Sequence, residues 1–433
     1  MKKMTFALVA LAALTLFVVT AGADPLSDAY AGKLKGTTVT MTGPFVDNDA
    51  VKFNDSVKDF EAKTGINIVY EGSKEFEASI TVRVDGGNAP DIADFPQPGL
   101  LAAFAKKGKV LDLNKVLPAG WKSNYIQSWL DMGTKPGPDG KPITAGIWAR
   151  ANVKGIVWYN KKAFDKAGYK VPNTWAELTA LQNQIKKDGD TPWAIGIESG
   201  AATGWPATDW LKQTVLRTTS LQNYDKWVAG TLKASSPEIK GAFKYWTDIW
   251  FDDANVYGGR KSIAPTGFGD AAKVLFENPP KAWLHDQGNF ITSFFPNGLK
   301  AGEDYDFFNL PVIDAKYGTP LLVAGDIYAA FNNRPEVLAA IQYFTKAESI
   351  KSWIQSGGVL APQKDVDTSW YTNYVDKKLG TLLKDAKALR FDATDQMPGP
   401  VTSTYWHELT ALVSGSHTLD QVVTAIDGSW STK

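Results

Sequence analysis

The segment GWPATDWL (204–211) combines groups that could hold a small ligand. The Trp205 indole offers a flat apolar face, and the Asp209 carboxylate offers two acceptor oxygens. Pro206 suits the first turn of a helix, so Trp205 is expected where a loop enters that helix. Trp210 falls inside the helix and is expected in the core. The segment therefore predicts a site for a flat, partly apolar ligand, with a packed loop aromatic as the alternative.

The wider composition favours binding over metal or nucleophilic chemistry. Aromatic residues make up 12% of the chain, with 16 tryptophans, and most must fill the core while several could line a site. There is no cysteine, and the three histidines, His285, His407 and His417, are scattered. His285 and Asp286 lack a recognisable third ligand, so no metal site or cofactor is predicted. Motifs of the GxSxG, P-loop and GxGxxG types are absent from the sequence.

The start of the chain reads as a secretory signal peptide, residues 1–23. Lys2 and Lys3 precede an apolar run, and Ala21-Gly22-Ala23 resembles a cleavage site. An uncleaved membrane anchor is the alternative, but the run is short for a span. Without a cysteine to carry lipid, export without a tether predicts a periplasmic protein.

Charge excludes some partners. The chain has 46 basic and 46 acidic residues, and Lys2 and Lys3 lie in the predicted leader, so the remainder has a formal charge of −2. No basic run exists, so neither nucleic acid nor an anionic membrane surface is expected as a partner.

Two regions show the alternation of a parallel α/β sheet. In the first, strands at 37–44, 66–70 and 90–95 surround a helix with Phe53, Val57 and Phe60 on one face. In the second, strands at 155–160 and 193–198 flank a helix at 174–187, and a further helix is expected from Pro237 through Trp250. Ligands of open α/β sheets bind outside the carboxyl ends of the strands, and Phe95, Gln97 and Trp205 lie just past such ends.

Several of these segments resemble the family 1 extracellular solute-binding proteins of ABC transporters, the maltose-binding group. The segments that match, in the same order as in the family, are KTGINIVYEGSKEFE (63–77), NAPDIADFPQPG (88–99), GIVWYNKKAFDKAGYKVPNTWAELTAL (155–181), VAGDIYAAFNNRPEVLAAIQYF (323–344), GGVLAPQKDVD (357–367) and DATDQMPGPVTSTYWHEL (392–409). The details of EGSKEFE, GWPATDW and DQMPG are most similar to the α-glucoside binders.

The resemblance implies an α/β protein of the type II periplasmic-binding-protein fold, with two lobes joined by hinge strands and a ligand cleft between them. Placing the crossings near Pro118, Pro320 and Thr368 predicts a first lobe of 24–118 plus 320–368. The second lobe would then be 119–319 plus 369–433.

Candidate ligand-binding residues divide into rings and polar groups. Trp205 follows from its loop position, whereas Trp406 and Phe95 fall where relatives place rings. The polar candidates are Glu75, Gln97, Arg150, Asp209, His285, Gln287 and Asp326. Structural roles are the alternative for each: an acid at a helix start, a hinge bond or a satisfied core histidine. The register around Trp283 departs from the family, so Trp283 is left out.

The resulting hypothesis is a periplasmic subunit of an ABC importer that binds an α-glucoside or similar oligosaccharide by lobe closure and delivers it to a membrane permease. It is expected to be a monomer and not an enzyme. Two alternatives stay open: a secreted glycosidase, whose paired carboxylates sequence cannot exclude, and the same fold with a polyamine, metal or phosphorylated ligand.

Overall fold

The computed structural model describes residues 24–386 and 388–430; the predicted signal peptide lies outside them. The strands are β1 (Thr38–Gly43), β2 (Asn67–Gly72), β3 (Ile92–Phe95), β4 (Thr134–Pro136), β5 (Pro142–Thr144), β6 (Ile147–Lys154), β7 (Ile156–Asn160), β8 (Leu284–Gln287), β9 (Tyr305–Asn309), β10 (Leu321–Ala330) and β11 (Leu389–Phe391).

The helices surround these strands. They are α1 (Pro25–Tyr30), α2 (Asp47–Thr64), α3 (Phe76–Asp85), α4 (Pro98–Lys106), α5 (Leu113–Val116), α6 (Gln127–Gly133), α7 (Lys161–Ala167), α8 (Trp175–Lys187), α9 (Trp205–Thr218), α10 (Leu221–Val228), α11 (Pro237–Lys240), α12 (Phe243–Trp250), α13 (Phe268–Ala271), α14 (Pro335–Phe344), α15 (Lys351–Ser356), α16 (Tyr374–Asp385), α17 (Ala393–Gln396), α18 (Gly399–Ser414) and α19 (Leu419–Ser429). Two 3-10 turns, Gly200–Ala202 and Asn289–Phe294, also bear on the site.

The first sheet has the order β11-β10-β3-β1-β2, and β6 also pairs with β10. The predicted strand–helix–strand unit is confirmed: β1 and β2 are parallel, and α2 buries Phe53, Val57 and Phe60. Gly65 ends α2 in a left-handed conformation, which a residue without a β-carbon adopts at low cost. Because β3 is parallel to β1 as well, three carboxyl ends lie at one edge of this sheet.

The second sheet is small and antiparallel, with the order β8-β7-β9. The predicted helix at 174–187 is confirmed as α8, including the reciprocal capping box between Thr174 and Glu177. The prediction of a strand at 193–198 is wrong. That segment forms only isolated bridges, Trp193 to Val256 and Leu284 and Glu198 to Gly267, because it has no continuous partner.

The helix expected from Pro237 to Trp250 is divided in two. Helix α11 ends at Lys240, and α12 begins at Phe243 after Gly241 and Ala242. Both pieces keep their apolar residues in the second core, with Ile239 and Phe243 fully buried.

The buried apolar residues form two large clusters, one around each sheet. The first draws mainly on Leu26–Ile156 and Leu321–Phe391, and the second mainly on Val157–Leu310 and Ala393–Ile426. The chain therefore passes between the two regions near Gly155, between β9 and β10, and near Asp392.

These crossings differ from the predicted ones near Pro118 and Thr368. After Pro118 the chain stays on the first core, where the Trp129 and Trp148 rings lie 5.0 Å apart and Trp148 Nε1 donates to Trp129 O. After Thr368, Val375 and Leu379 pack on the same core. We propose that the first lobe is 24–154 plus 321–391 and the second 156–320 plus 392–430.

Within the described part of the chain, no helix combines the length and the apolar character that a membrane span requires.

Candidate functional site

A cleft between the two lobes holds a cavity of about 130 Å³. One side is built where β1, β2 and β3 end. The residues on that side are Pro44, Phe45, Val46, Asp49, Ser73, Lys74, Glu77, Pro96 and Gln97. Open α/β sheets bind ligands at this position, in the crevice outside the carboxyl ends of their strands.

The facing side belongs to the second lobe and carries four aromatic rings. Its residues are Ser199, Ala202, Trp205, Lys212, Phe268, Phe290, Phe294 and Asp395. Trp205 is the first residue of α9, and its ring lies 5.2 Å from the Phe268 ring and 5.9 Å from the Phe290 ring, centre to centre. Trp205 is half-buried, so part of its face stays open to the cavity.

The base of the cleft is formed by the two crossing strands, β6 and β10. Arg150, Asn152 and Lys154 alternate along β6, so their side chains share one face of the strand. From β10 come Ala324, Gly325 and Asp326. Polar groups thus cover the base while rings cover one side.

An ionic cluster surrounds Arg150. Its Nε donates to Asp326, and its Nη1 donates to Asp49 Oδ2 at 3.1 Å. The guanidinium also lies 4.3 Å from the centre of the Phe45 ring and 4.9 Å from that of Trp353. These contacts hold the planar group in one orientation.

A second ionic cluster surrounds Lys154. Its ammonium donates to Asp209 Oδ1 at 3.1 Å and to Asp392 Oδ2 at 2.8 Å, and it lies 5.2 Å from the Trp205 ring centre. Lys212 shares both carboxylates, donating to Asp209 at 2.8 Å and to both oxygens of Asp392. Asp395 lies at the edge of this cluster, 3.9 Å from Lys154.

Burial and ion pairing shift the pKa values of these groups in opposite directions. Burial alone would lower the pKa values of Arg150 and Lys154, but the surrounding carboxylates raise both above their ordinary values. Burial alone would raise the pKa of Asp392, but its two ammonium partners bring it below the usual range. For Asp395, burial and the nearby Asp392 charge prevail, so its pKa is well above the usual range.

Four of the sequence-predicted site residues line the cavity: Gln97, Arg150, Trp205 and Asp326. Gln97 lies between Pro96 and Pro98 at the start of α4, and its Nε2 donates to Glu77 Oε1 at 3.1 Å. Glu75 is exposed just outside the cavity, at the N-terminal boundary of α3, whereas Glu77, in the first turn, lines it.

Five other predicted residues lie away from the cavity. Phe95 is fully buried, and its ring packs against those of Phe76, Phe104 and Phe331. Asp209 is enclosed behind Lys154 and Lys212.

The remaining three are inside the second lobe. The His285 Nδ1 lies 2.9 Å from Ala194 O, and burial lowers the His285 pKa to about 4. Gln287, also on β8, accepts from its neighbouring Gly288 N, and Trp406 is buried in α18. Strand β8 pairs with β7, and α18 packs in the second core, so these side chains do not line the cavity.

Sequence reasoning missed Asp49, Glu77, Asn152, Lys154, Lys212 and Asp395, all of which line the cavity. One signal was available for two of them. The segment ARANVK (149–154) alternates small or apolar residues with Arg150, Asn152 and Lys154, the period of a strand with one polar face. Inside a buried strand, such a face indicates a polar cleft.

The lobes touch at several points outside the base of the cleft, and two of these points lie beside residues that line the cavity. Asn48 Nδ2 donates to Ser293 O at 2.7 Å, and Lys52 Nζ donates to Ser293 Oγ at 3.0 Å. At the second point, a β-carbon built on Gly200 would lie 2.8 Å from Lys74 O of the facing lobe. The backbones approach this closely only because Gly200 has no side chain.

In the described ranges no group of three or more histidine, cysteine or acidic side chains is placed to hold a metal ion.

Two α/β lobes linked by crossing strands, with a cleft between them that has a polar base and aromatic rings on one side, define a bilobal ligand-binding protein. The chain belongs to the bacterial extracellular solute-binding protein family, which it matches over residues 47–351. Proteins of this family are the solute-binding subunits of ABC importers, so the family recognised from sequence is confirmed.

Relatives and solved structures agree with this assignment. The chain is 39% identical to the osmoprotective compounds-binding protein GgtB of Synechocystis sp., over 90% of this chain and 92% of that protein. It is 38% identical to the alpha-glucosides-binding periplasmic protein AglE of Rhizobium meliloti, over 92% and 88%. A solved chitin oligosaccharide binding protein, 21% identical, superposes with a TM-score of 0.77 over 90% of this chain and 97% of its own. The predicted type II periplasmic-binding-protein fold is thereby confirmed.

Proposed function

We propose that this chain captures an α-glucoside or a similar short oligosaccharide for an ABC importer. The observation that carries the proposal is the division of the cleft into an aromatic side, with Trp205, Phe268 and Phe290, and a base rich in hydrogen-bonding groups. A pyranose has the matching surface, since its C–H faces are apolar and its rim carries hydroxyls that carboxylates and amides bind.

Capture works by closure. A ligand that contacts both lobes favours the closed state by the difference in its affinity for the two states. The closed form is then delivered to a membrane permease, the partner that we propose. The relatives named above are binding proteins, and we propose a binding role without turnover here as well.

The proposed location is the periplasm, after cleavage of the signal peptide near Ala23. Asp24, the first residue of the resulting chain, accepts from Ser27 N at 3.3 Å as the N-cap of α1. We further propose that the mature protein acts as a monomer. Mass spectrometry of exported protein tests the cleavage site, and light scattering tests the oligomeric state.

The names of the two relatives point to two ligand groups, α-glucosides and osmoprotective compounds. Thermal unfolding of the mature protein should be compared with maltose, maltotriose, trehalose, sucrose and the non-sugar osmoprotectant glycine betaine. A ligand at a hundred times its dissociation constant stabilises the native state by about 2.7 kcal/mol. Stabilisation by a sugar, with the sugar recovered unaltered, supports the proposal; stabilisation by none of the sugars contradicts it, and a cleavage product would indicate a glycosidase.

Trp205→Ala tests the aromatic side directly. Loss of the stacking face should weaken binding of the sugar at least tenfold, about 1.4 kcal/mol. Trp370→Ala is the matched control, because Trp370 is also half-buried but lies outside the cleft. Calorimetric titration of both variants separates a binding role for Trp205 from general destabilisation.

A further inference from the structure

Two amide side chains at the cavity have a fixed orientation. Gln97 Nε2 donates to Glu77 Oε1 at 3.1 Å, and Asn152 Nδ2 donates to Asp326 Oδ2 at 3.4 Å. Only the nitrogen of an amide can donate to a carboxylate, so these contacts assign nitrogen and oxygen in each group. The amide oxygens, Gln97 Oε1 and Asn152 Oδ1, are both buried without a hydrogen-bond partner.

A third acceptor lies at the same cavity. Asp49 Oδ2 accepts from Arg150, whereas Asp49 Oδ1 is buried without a partner. Asp49, Gln97 and Asn152 are 4%, 6% and 5% exposed. Three buried side chains that line the cavity thus each have an acceptor available and lack a donor to satisfy it.

The buried cations at the cavity are already paired. Arg150 is bound by Asp49 and Asp326, and Lys154 and Lys212 share Asp209 and Asp392. With Asp395 beside Lys154, five acids accompany these three cations. Lys74, the remaining lining cation, is exposed rather than buried in the cavity. Acids of the chain therefore already pair with the three buried cations at the base of the cleft.

Helix N-termini at the cleft could still bind an anionic ligand, since their free N–H groups attract anions. Helix α2 begins at the cleft with Asp47 and Asp49 in its first turn, and α3 begins there with Glu77. Helix α4 begins with Pro98, which has no N–H. At the N-termini of α2 and α3, carboxylates of the chain take the place that an anionic ligand would occupy. At the N-terminus of α4, Pro98 lacks the N–H that could donate to an anion.

We infer that the cleft selects uncharged glucosides, whose hydroxyls donate to Asp49, Gln97 and Asn152, and rejects glucosides that carry a phosphate or carboxylate. An anionic group can only accept hydrogen bonds, so it would leave the three acceptors unsatisfied, and the buried cations that line the described cavity are already paired with acids of the chain. This inference rests on the proposed function and adds the ligand's charge class to it.

The test is calorimetric titration of the mature wild-type protein with matched ligand pairs. Whichever of maltose, trehalose and sucrose binds is compared with its own 6-phosphate at one pH and salt concentration. We expect the phosphate to bind at least a hundredfold more weakly. Equal or tighter binding of the phosphate overturns the inference while leaving the proposed glucoside function standing. If neither member of any pair binds, the proposed function fails, and this inference fails with it.

Glu77→Gln sharpens the result. It removes one carboxylate at the cavity and keeps an oxygen that can accept from Gln97. The ratio of the two affinities should fall severalfold. Asp85→Asn is the control, because Asp85 is an exposed acid of the same helix outside the cavity, and it should leave the ratio unchanged. An unchanged ratio in Glu77→Gln, with normal thermal unfolding, contradicts an electrostatic origin.

Discussion

Strand β6 carries two ionic clusters four residues apart, and they connect it to different lobes. At Arg150 the partners are Asp49 of α2 and Asp326 of β10, both in the first lobe. At Lys154 the partners belong to the second lobe, with Lys212 on α9 sharing the same carboxylates. Ion pairs thus connect strand β6 to both lobes, one on each side of the cleft.

One carboxylate of each cluster, Asp392 beside Lys154 and Asp326 beside Arg150, shows a different balance of burial and pairing. Asp392 receives two ammonium groups, which bring its pKa below the usual range against the effect of burial. Asp326 has one guanidinium, and there burial prevails, so its pKa is raised. Asp94 lies behind the first cluster with both oxygens unpartnered, and burial and the Asp326 charge raise its pKa well above the usual range. The Lys154 cluster is therefore suited to stability, and the Arg150 cluster to binding hydroxyl donors.

Asp392→Asn tests the stability role and should have the largest effect. The substitution leaves the Lys154 and Lys212 ammonium groups with Asp209 as the carboxylate they still share. Breaking a buried ion pair costs about 3–5 kcal/mol. Denaturant unfolding measures the loss. Asp225→Asn is the control, since Asp225 pairs with Arg390 at the surface and such pairs contribute about 1 kcal/mol or less. A loss for Asp392→Asn as small as that of the control would contradict the assigned role.

Arg150→Lys tests the other cluster. An ammonium cannot reproduce the planar guanidinium that reaches Asp49 and Asp326 together, so one charged hydrogen bond is lost, about 1.5–3 kcal/mol. Because Asp49 then reorients, sugar affinity should fall as well, which titration calorimetry detects. Arg83→Lys, at an exposed pair with Glu71, should change neither quantity. Stability that falls while affinity stays unchanged would assign Arg150 a structural role alone.

Gly200→Ala tests closure where neither cluster takes part. The added β-carbon would lie 2.8 Å from Lys74 O, so the lobes could not approach fully, and affinity should fall about tenfold, or 1.4 kcal/mol. Gly298→Ala is the matched control: both glycines have positive φ, but no atom lies within 4 Å of a β-carbon at Gly298. Solution scattering with and without sugar should show incomplete compaction in Gly200→Ala only. Full compaction there would show that the contact does not limit closure.

Glu77 should make the free energy of unfolding depend on pH. Burial raises its pKa to about 7 from a usual value of 4.5. A raised folded-state pKa favours the protonated form, so its contribution to stability is complete below pH 4.5 and is lost as the pH rises through 7. Relative to wild type, Glu77→Gln should gain stability as the pH rises from 5 to 8, measured by thermal unfolding. A constant difference across this range would contradict a raised pKa.

The sequence predicted the local units of the fold well because their signals are local. The parallel β1–α2–β2 unit follows from apolar spacing and Gly65, and α8 follows from its capping box. The segment 193–198 shows the limit, since its composition suits a strand but pairing depends on what lies beside it.

The candidate site could be predicted only in part, for a related reason. Gln97 and Trp205 reach the cavity because each lies next to the end of a predicted strand. A position next to a strand end does not, however, determine the direction of the side chain. Phe95 ends β3 facing the core, and Glu77 rather than Glu75 turns inward, because α3 begins at Phe76. Partners distant in sequence, such as Lys154 and Asp392, 238 residues apart, leave no local pattern.

The position of β10 in the first sheet has a consequence for biogenesis. This strand pairs with β3, β6 and β11, yet it begins only at Leu321. The first lobe therefore cannot complete its sheet until most of the chain has been synthesised, and pairings this distant in sequence form slowly. A nascent chain that delays its own folding stays extended for longer, which is the state that passage through a narrow export channel requires.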